Sequence, residues 1–203
     1  MKKRIFLIGD SIRYGLGSEE TSKFGYSYHI KRKLEGVMEV YEPNDNCRFL
    51  QYTLRYLHEW AADVPSPETI DVVHWNNGLW DVLRLYGDEP FTHIDTYQEY
   101  LIRVYKRIKF LFPNAKIIFA LSTPVNEELS PKNFTRNNSD IAKYNKVAID
   151  ILKPQGVFIN DLYTPAISLR ESAKYDWVHY NEKGAEVLAD VVISKINEVF
   201  DKS

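Results

Sequence analysis

Three side chains of this 203-residue chain have the types and the order for nucleophilic chemistry. Ser11 follows Gly9-Asp10, directly after the apolar run Ile5-Phe6-Leu7-Ile8. Asp176 and His179 stand three residues apart near the C-terminus, just ahead of the last helical stretch. An Asp at that spacing can turn its carboxylate onto Nδ1 of the ring, which leaves Nε2 free to take a proton from a hydroxyl. Ser, then Asp, then His is a chain order that serine hydrolases use. The chemistry would be attack of Ser11 on an acyl carbon, and it needs donors for the oxyanion that forms. The backbone N–H of Ser11 is one candidate; the loop near Arg48 and the end of the third strand are others. Each piece has a plainer reading as well. Gly-Asp-Ser also ends strands in ordinary turns, and an Asp and a His also meet in surface loops. Their combination in one chain is what favours chemistry over ordinary turns.

The elements around these residues put them at one end of a sheet. Ile5–Ile8 is a continuous apolar run, which suits a strand buried on both faces. Gly9 permits a sharp turn after it, and open α/β sheets bind their ligands at the carboxyl ends of their strands. Further strands are expected over residues 37–41, 70–75, 116–121 and 157–159. Helices are expected over 26–36, 50–62, 97–111, 139–153 and 182–201. The helix at 97 is expected to start from a capping box of Thr96 and Glu99, and the last one from Asn181. Residues 15–25 read as a mobile loop with Gly15, Gly17, Ser18, Glu19 and Glu20. Residues 122–138 read as a long polar connection. This alternation predicts a three-layer α/β/α domain over residues 1–203, with a parallel sheet of about five strands in the order 2-1-3-4-5.

Composition excludes several functions. A formal net charge of -2 provides no field to attract nucleic acid or an anionic membrane. No apolar run approaches the ~20 residues that span a bilayer. The N-terminus enters a core strand without a secretory signal, so a cytoplasmic location is expected. The single cysteine, Cys47, is expected to be a small packed residue. The five histidines are scattered and none pairs with another at metal-ligand spacing, so neither a metal nor an organic cofactor is expected.

Gly9-Asp10-Ser11 together with Asp176-x-x-His179 resembles the SGNH (GDSL) hydrolases, esterases and lipases of flavodoxin-like fold. The motifs at residues 9–15, 44–48, 76–81 and 176–179 follow the order of that family and span nearly the whole chain. The resemblance implies Ser11 as nucleophile, His179 as general base, Asp176 as its orienting partner, and Asp10 as support for the turn. Two motifs depart from the family pattern. Asn46-Cys47-Arg48 carries Arg48 where the family has a Gly whose N–H lines the oxyanion hole. Gly78-Leu79-Trp80-Asp81 carries Trp80 where the family has an Asn that donates from its side chain. Asn76 or Asn77 could supply the missing amide. Asn76 is favoured, because alternation along the strand puts it on the face of His74 and Gly78.

The function expected is therefore a serine esterase acting through an acyl-enzyme. Tyr14, Phe24, Tyr26, Trp80, Tyr86, Phe91 and Phe134 lie in or beside the loops that follow the strands. Aromatics there suit stacking on a sugar as well as lining an acyl pocket. A small ester is expected as substrate, such as an acetyl group on a carbohydrate, since no long apolar lid points to a lipid interface. An acyltransferase with the same three residues is one alternative. A non-catalytic ligand-binding protein on the same fold is the other, with Arg48 and Trp80 as its best support.

Overall fold

The computed structural model describes residues 2–15, 25–169 and 176–202. Residues 16–24, most of the expected mobile loop and Phe24 among them, lie outside the described residues. Among the described residues, seven strands run in chain order: β1 (Lys3–Ile8), β2 (Met38–Tyr41), β3 (Val72–Trp75), β4 (Arg84–Leu85), β5 (Lys116–Ala120), β6 (Phe134–Thr135) and β7 (Phe158–Asn160). The helices are α1 (Ser11–Tyr14), α2 (Tyr26–Lys33), α3 (Leu50–Ala62), α4 (Ile94–Leu111), α5 (Asn138–Leu152), α6 (Tyr163–Ile167) and α7 (Glu182–Asp201).

The main sheet has the order β2-β1-β3-β5-β7, and all four of its pairings are parallel. Counting only these five strands, this is the expected order 2-1-3-4-5. The central strands are apolar without alternation because both faces are covered. Ile5 to Ile8, Val72, Val73 and Trp75 are all buried. The helices pack in two groups, α3 with α4 and α5, and α2 with α1 and α7. Within the sheet the Trp75 ring meets Phe119 edge-on, with centroids 4.9 Å apart.

Two local expectations change. Helix α4 begins at Ile94, one turn earlier than Thr96 would set it. His93 is its N-cap, with its ring accepting from the Asp95 N–H at 3.4 Å. The Tyr97 N–H already donates to the His93 carbonyl, at 2.8 Å, so Thr96 is inside the first turn. The polar connection after β5 also contains β6, which pairs antiparallel with β4 through Arg84–Thr135 and Leu85–Phe134. Two-residue strands carry too little periodicity to be read from sequence.

Candidate active site

The turn after β1 is built by close packing and capping. A Cβ on Gly9 would come within 2.9 Å of the Arg13 Cβ, so no larger residue fits there without displacement. Asp10 is the N-cap of α1, and its Oδ1 accepts from the Ile12 N–H at 2.9 Å. Its carboxyl is fully buried. Burial pushes the Asp10 pKa up, against the Ile12 hydrogen bond and the charges of Arg136, His179 and Arg13. Its Oδ2 has no hydrogen-bond partner among the described residues.

Ser11 opens α1, and its Oγ lies 2.7 Å from His179 Nε2. His179 Nδ1 lies 2.8 Å from Asp176 Oδ2. The other carboxylate oxygen, Oδ1, accepts from the backbone N–H groups of Val178 (2.8 Å) and His179 (3.3 Å). Burial pushes the Asp176 carboxyl up, but the His179 ring and these two N–H groups outweigh it and hold the pKa below its usual value. An ionised carboxylate only accepts hydrogen bonds, so the proton sits on Nδ1 and Nε2 is free to accept from the serine hydroxyl. Asn181 caps α7, accepting from the Gly184 N–H at 3.0 Å, and so fixes the end of the turn that carries His179. A Ser–His–Asp chain of this geometry can draw the hydroxyl proton onto the ring as the oxygen attacks an acyl carbon.

Arg13 ties this turn to the loop after β2. Its guanidinium is buried and reaches Glu42 Oε2 (2.7 Å), the Pro43 carbonyl (3.3 Å), the Asp45 carbonyl and Cys47 Sγ (3.8 Å). Its Nε donates to the Gly9 carbonyl at 3.3 Å. Cys47 in turn donates its N–H to the Gly9 carbonyl at 3.1 Å. Burial pushes the Cys47 thiol up to about 11, so it is a packed group and not a reactive thiolate.

Arg48 has φ 45°, the left-handed conformation that favours glycine, at the position where a glycine was expected. Its side chain turns outward and lies over the Tyr52 ring at 4.8 Å. Its N–H donates to Asn46 Oδ1 at 3.0 Å. At the end of β3, the Asn76 amide donates to the Ala120 carbonyl at 2.9 Å. Asn77 is held on both sides. Its amide donates to the Arg48 carbonyl (2.6 Å), and its oxygen accepts from Trp75 Nε1 (2.6 Å) and Thr53 Oγ1 (3.1 Å). Gly78 has φ 150° and sits against Ser122 Oγ, where a Cβ would collide. Asp81 is fully buried; its Oδ1 accepts from the Leu50 N–H at 3.3 Å, its Oδ2 has no partner among the described residues, and burial pushes it up to about 7.

Sequence reasoning missed Arg136. It lies just after β6, is only 4% exposed, and its Nε donates to the Leu79 carbonyl. Three rings surround the guanidinium: Trp177 at 5.0 Å, Phe134 at 5.5 Å and Trp80 at 5.6 Å. Burial lowers its pKa to about 10, and Asp10 and Asp176 pull it back up. No motif marks Arg136, because its setting depends on the β4–β6 pairing. Of the other aromatics weighed as site residues, Tyr26 is buried core, Tyr14 donates to Asn44 Oδ1 at 2.9 Å, Phe91 packs on Phe49, and Tyr86 is exposed. Among the described residues, no group of three His, Cys, Asp or Glu side chains is arranged to hold a metal ion, and no helix is long and apolar enough to cross a membrane.

Residues 7–187 match the GDSL-like lipase/acylhydrolase family. The chain belongs to that family. It is accordingly a carboxylic ester hydrolase of the GDSL type. Solved structures share the fold of this GDSL hydrolase. The lipase/acylhydrolase from Enterococcus faecalis superposes with a TM-score of 0.72 at 20% identity, covering 96% of this chain and 95% of that one. The Clostridium thermocellum family 3 carbohydrate esterase gives 0.72 at 15% identity, over 100% and 98% of the two chains. Axe2, an acetylxylan esterase from Geobacillus stearothermophilus, gives 0.67 at 18%, over 96% and 94%. No curated protein matches the chain by sequence.

Proposed function

We propose that this GDSL hydrolase is a serine esterase that cleaves small acyl esters, with O-acetyl groups on a carbohydrate as the favoured substrate. The observation that carries the reading is the continuous hydrogen-bonded chain from Ser11 Oγ through His179 to Asp176, at 2.7 and 2.8 Å. Ser11 Oγ attacks the ester carbonyl carbon while its proton passes to His179 Nε2. The carbonyl electron pair moves onto oxygen. As the tetrahedral centre collapses, the C–O bond to the alcohol breaks and the alkoxide takes the proton from Nε2. Water then repeats the sequence on the acyl-enzyme, releasing the acid and restoring Ser11. Asp176 holds the ring in the tautomer that leaves Nε2 open. Asp10 caps the turn beneath the nucleophile, and Gly78 and Trp80 shape the end of β3.

The oxyanion is received at the Ser11 N–H, which has no acceptor among the described residues. The Arg48 N–H and the Asn76 amide are the further donors on this side, each already engaged by a protein acceptor. Support for the carbohydrate ester comes from the aromatic walls at Trp80, Phe134 and Trp177. It comes also from the acetylxylan and carbohydrate esterases among the structural relatives.

The deciding experiment is labelling with a fluorophosphonate, mass mapping of the adduct, and a screen of acetylated sugars with the native enzyme and Ser11→Ala. A single adduct at Ser11, together with acetate release that falls by ~10⁴-fold or more in Ser11→Ala, is expected. A well-folded protein that takes no label would overturn the reading and point to binding without chemistry.

A further inference from the structure

We propose that Arg136 is a catalytic residue of this esterase and supplies the side-chain donor of the oxyanion hole, in the place of the asparagine that position 80 lacks. The inference rests on the reading of Ser11 as nucleophile.

A census of donors motivates it. The Ser11 N–H is open. The Arg48 N–H is engaged by Asn46 Oδ1, and one of the two N–H groups of the Asn76 amide by the Ala120 carbonyl. Both Asn77 amide contacts are carbonyls of the neighbouring loop. Position 80 offers an indole. Each oxyanion donor contributes ~10²–10³ in turnover, so a charged side-chain donor beside the Ser11 N–H would weigh heavily.

Arg136 has donors to spare and stands at the right end of the sheet. Its only hydrogen bond among the described residues runs from Nε to the Leu79 carbonyl, next to position 80 in the chain. Both Nη atoms are without an acceptor there. Trp80 and Trp177 flank the guanidinium, and Trp177 adjoins Asp176 in the turn that carries His179. Asp10 and Asp176, the carboxylates next to Ser11 and His179, are the two groups whose charge acts on it. No carboxylate forms an ion pair with it among the described residues. A buried guanidinium without a paired anion is costly, and an anion that exists only during turnover is the partner this site lacks. Its positive charge would then act where negative charge develops.

The test uses Arg136→Gln with a neutral ester, 4-nitrophenyl acetate, and the crystal structure of the native enzyme carrying a fluorophosphonate adduct on Ser11. Arg136→Gln should lower kcat by ~10²–10³ with KM little changed, and should slow phosphonylation of Ser11 in parallel while thermal unfolding stays close to native. In the adduct, the phosphonyl oxygen should lie about 3 Å from an Arg136 Nη. Either of two results would overturn the proposal. One is an unchanged kcat on the neutral ester with losses confined to carboxylate-bearing esters, which would make Arg136 a substrate anchor. The other is an adduct whose oxygen meets backbone N–H groups and not Arg136, a result that does not depend on how the variant folds. Absence of any adduct at Ser11 would instead sink the reading of Ser11 as nucleophile, so the two failures are distinguishable.

Discussion

Two arginines are buried among the described residues, and they are buried differently. Arg13 spends its donors on Glu42, the Gly9, Pro43 and Asp45 carbonyls and the Cys47 sulfur. Arg136 has the Leu79 carbonyl and three ring faces. The first arrangement closes on itself and fixes the loop after β2 against the turn that bears Ser11. The second leaves both Nη groups without an acceptor among the described residues. Buried polar groups that are fully satisfied hold a structure together, whereas those left short of partners point to a ligand or a reaction.

The contrast can be broken by experiment. The largest stability effect is expected at the saturated site. Arg13→Ala should lower unfolding free energy by about 3–5 kcal/mol, because Glu42 and three carbonyls lose their partner together; urea unfolding measures it. Arg136→Met should lower stability by no more than about 1 kcal/mol, or raise it, while turnover collapses. Equal destabilisation by the two substitutions would erase the distinction.

The same comparison holds for carboxylates. Asp81 is buried with one oxygen orphaned, and its folded pKa of about 7 lies above the ordinary value. The native state therefore binds more protons than the unfolded chain between about pH 4 and 7. The contribution of Asp81 to stability is full below that window and lost as pH rises through it, by an amount on the order of a few kcal/mol. Asp176, with every oxygen engaged, is shifted down. Its contribution has the opposite sign, being present above the ordinary carboxylate pKa and lost as pH falls. Unfolding curves from pH 4.5 to 7.5 should show that slope removed in Asp81→Asn, relative to the native protein, and no such change in Asp176→Asn. The smallest effect is at Cys47, which should resist iodoacetamide in the native protein and react on unfolding, as thiol mapping by mass would show.

Much of this was legible from local chemistry. The buried strands announce themselves as unbroken apolar runs, and Gly-Asp-Ser and Asp-x-x-His each set up their own turn within four residues. Helix α3 and helix α7 fall where apolar periodicity puts them. What could not be read depends on contacts between distant segments. Arg136 sits in a polar stretch with no signature, and only the pairing of β4 with β6 fixes its surroundings. The engagement of Asn76 by the Ala120 carbonyl requires knowing which strand lies beside β3. His93 displaced Thr96 as the cap of α4 because two residue types with capping ability lie within one turn.

The hydrogen bond between Ser11 and His179 joins residues 168 positions apart. The Asp176–His179 pair, by contrast, is a local turn that closes within four residues. A chain emerging from synthesis therefore presents Ser11 long before the Asp176–His179 turn exists, and the arrangement is complete only when both chain ends meet at the same end of the sheet. On the mechanism proposed above, incomplete or opened forms of the protein would lack an activated nucleophile. With Ser11 as the proposed nucleophile, the fraction of molecules that accept a fluorophosphonate would count those whose two chain ends have been brought together.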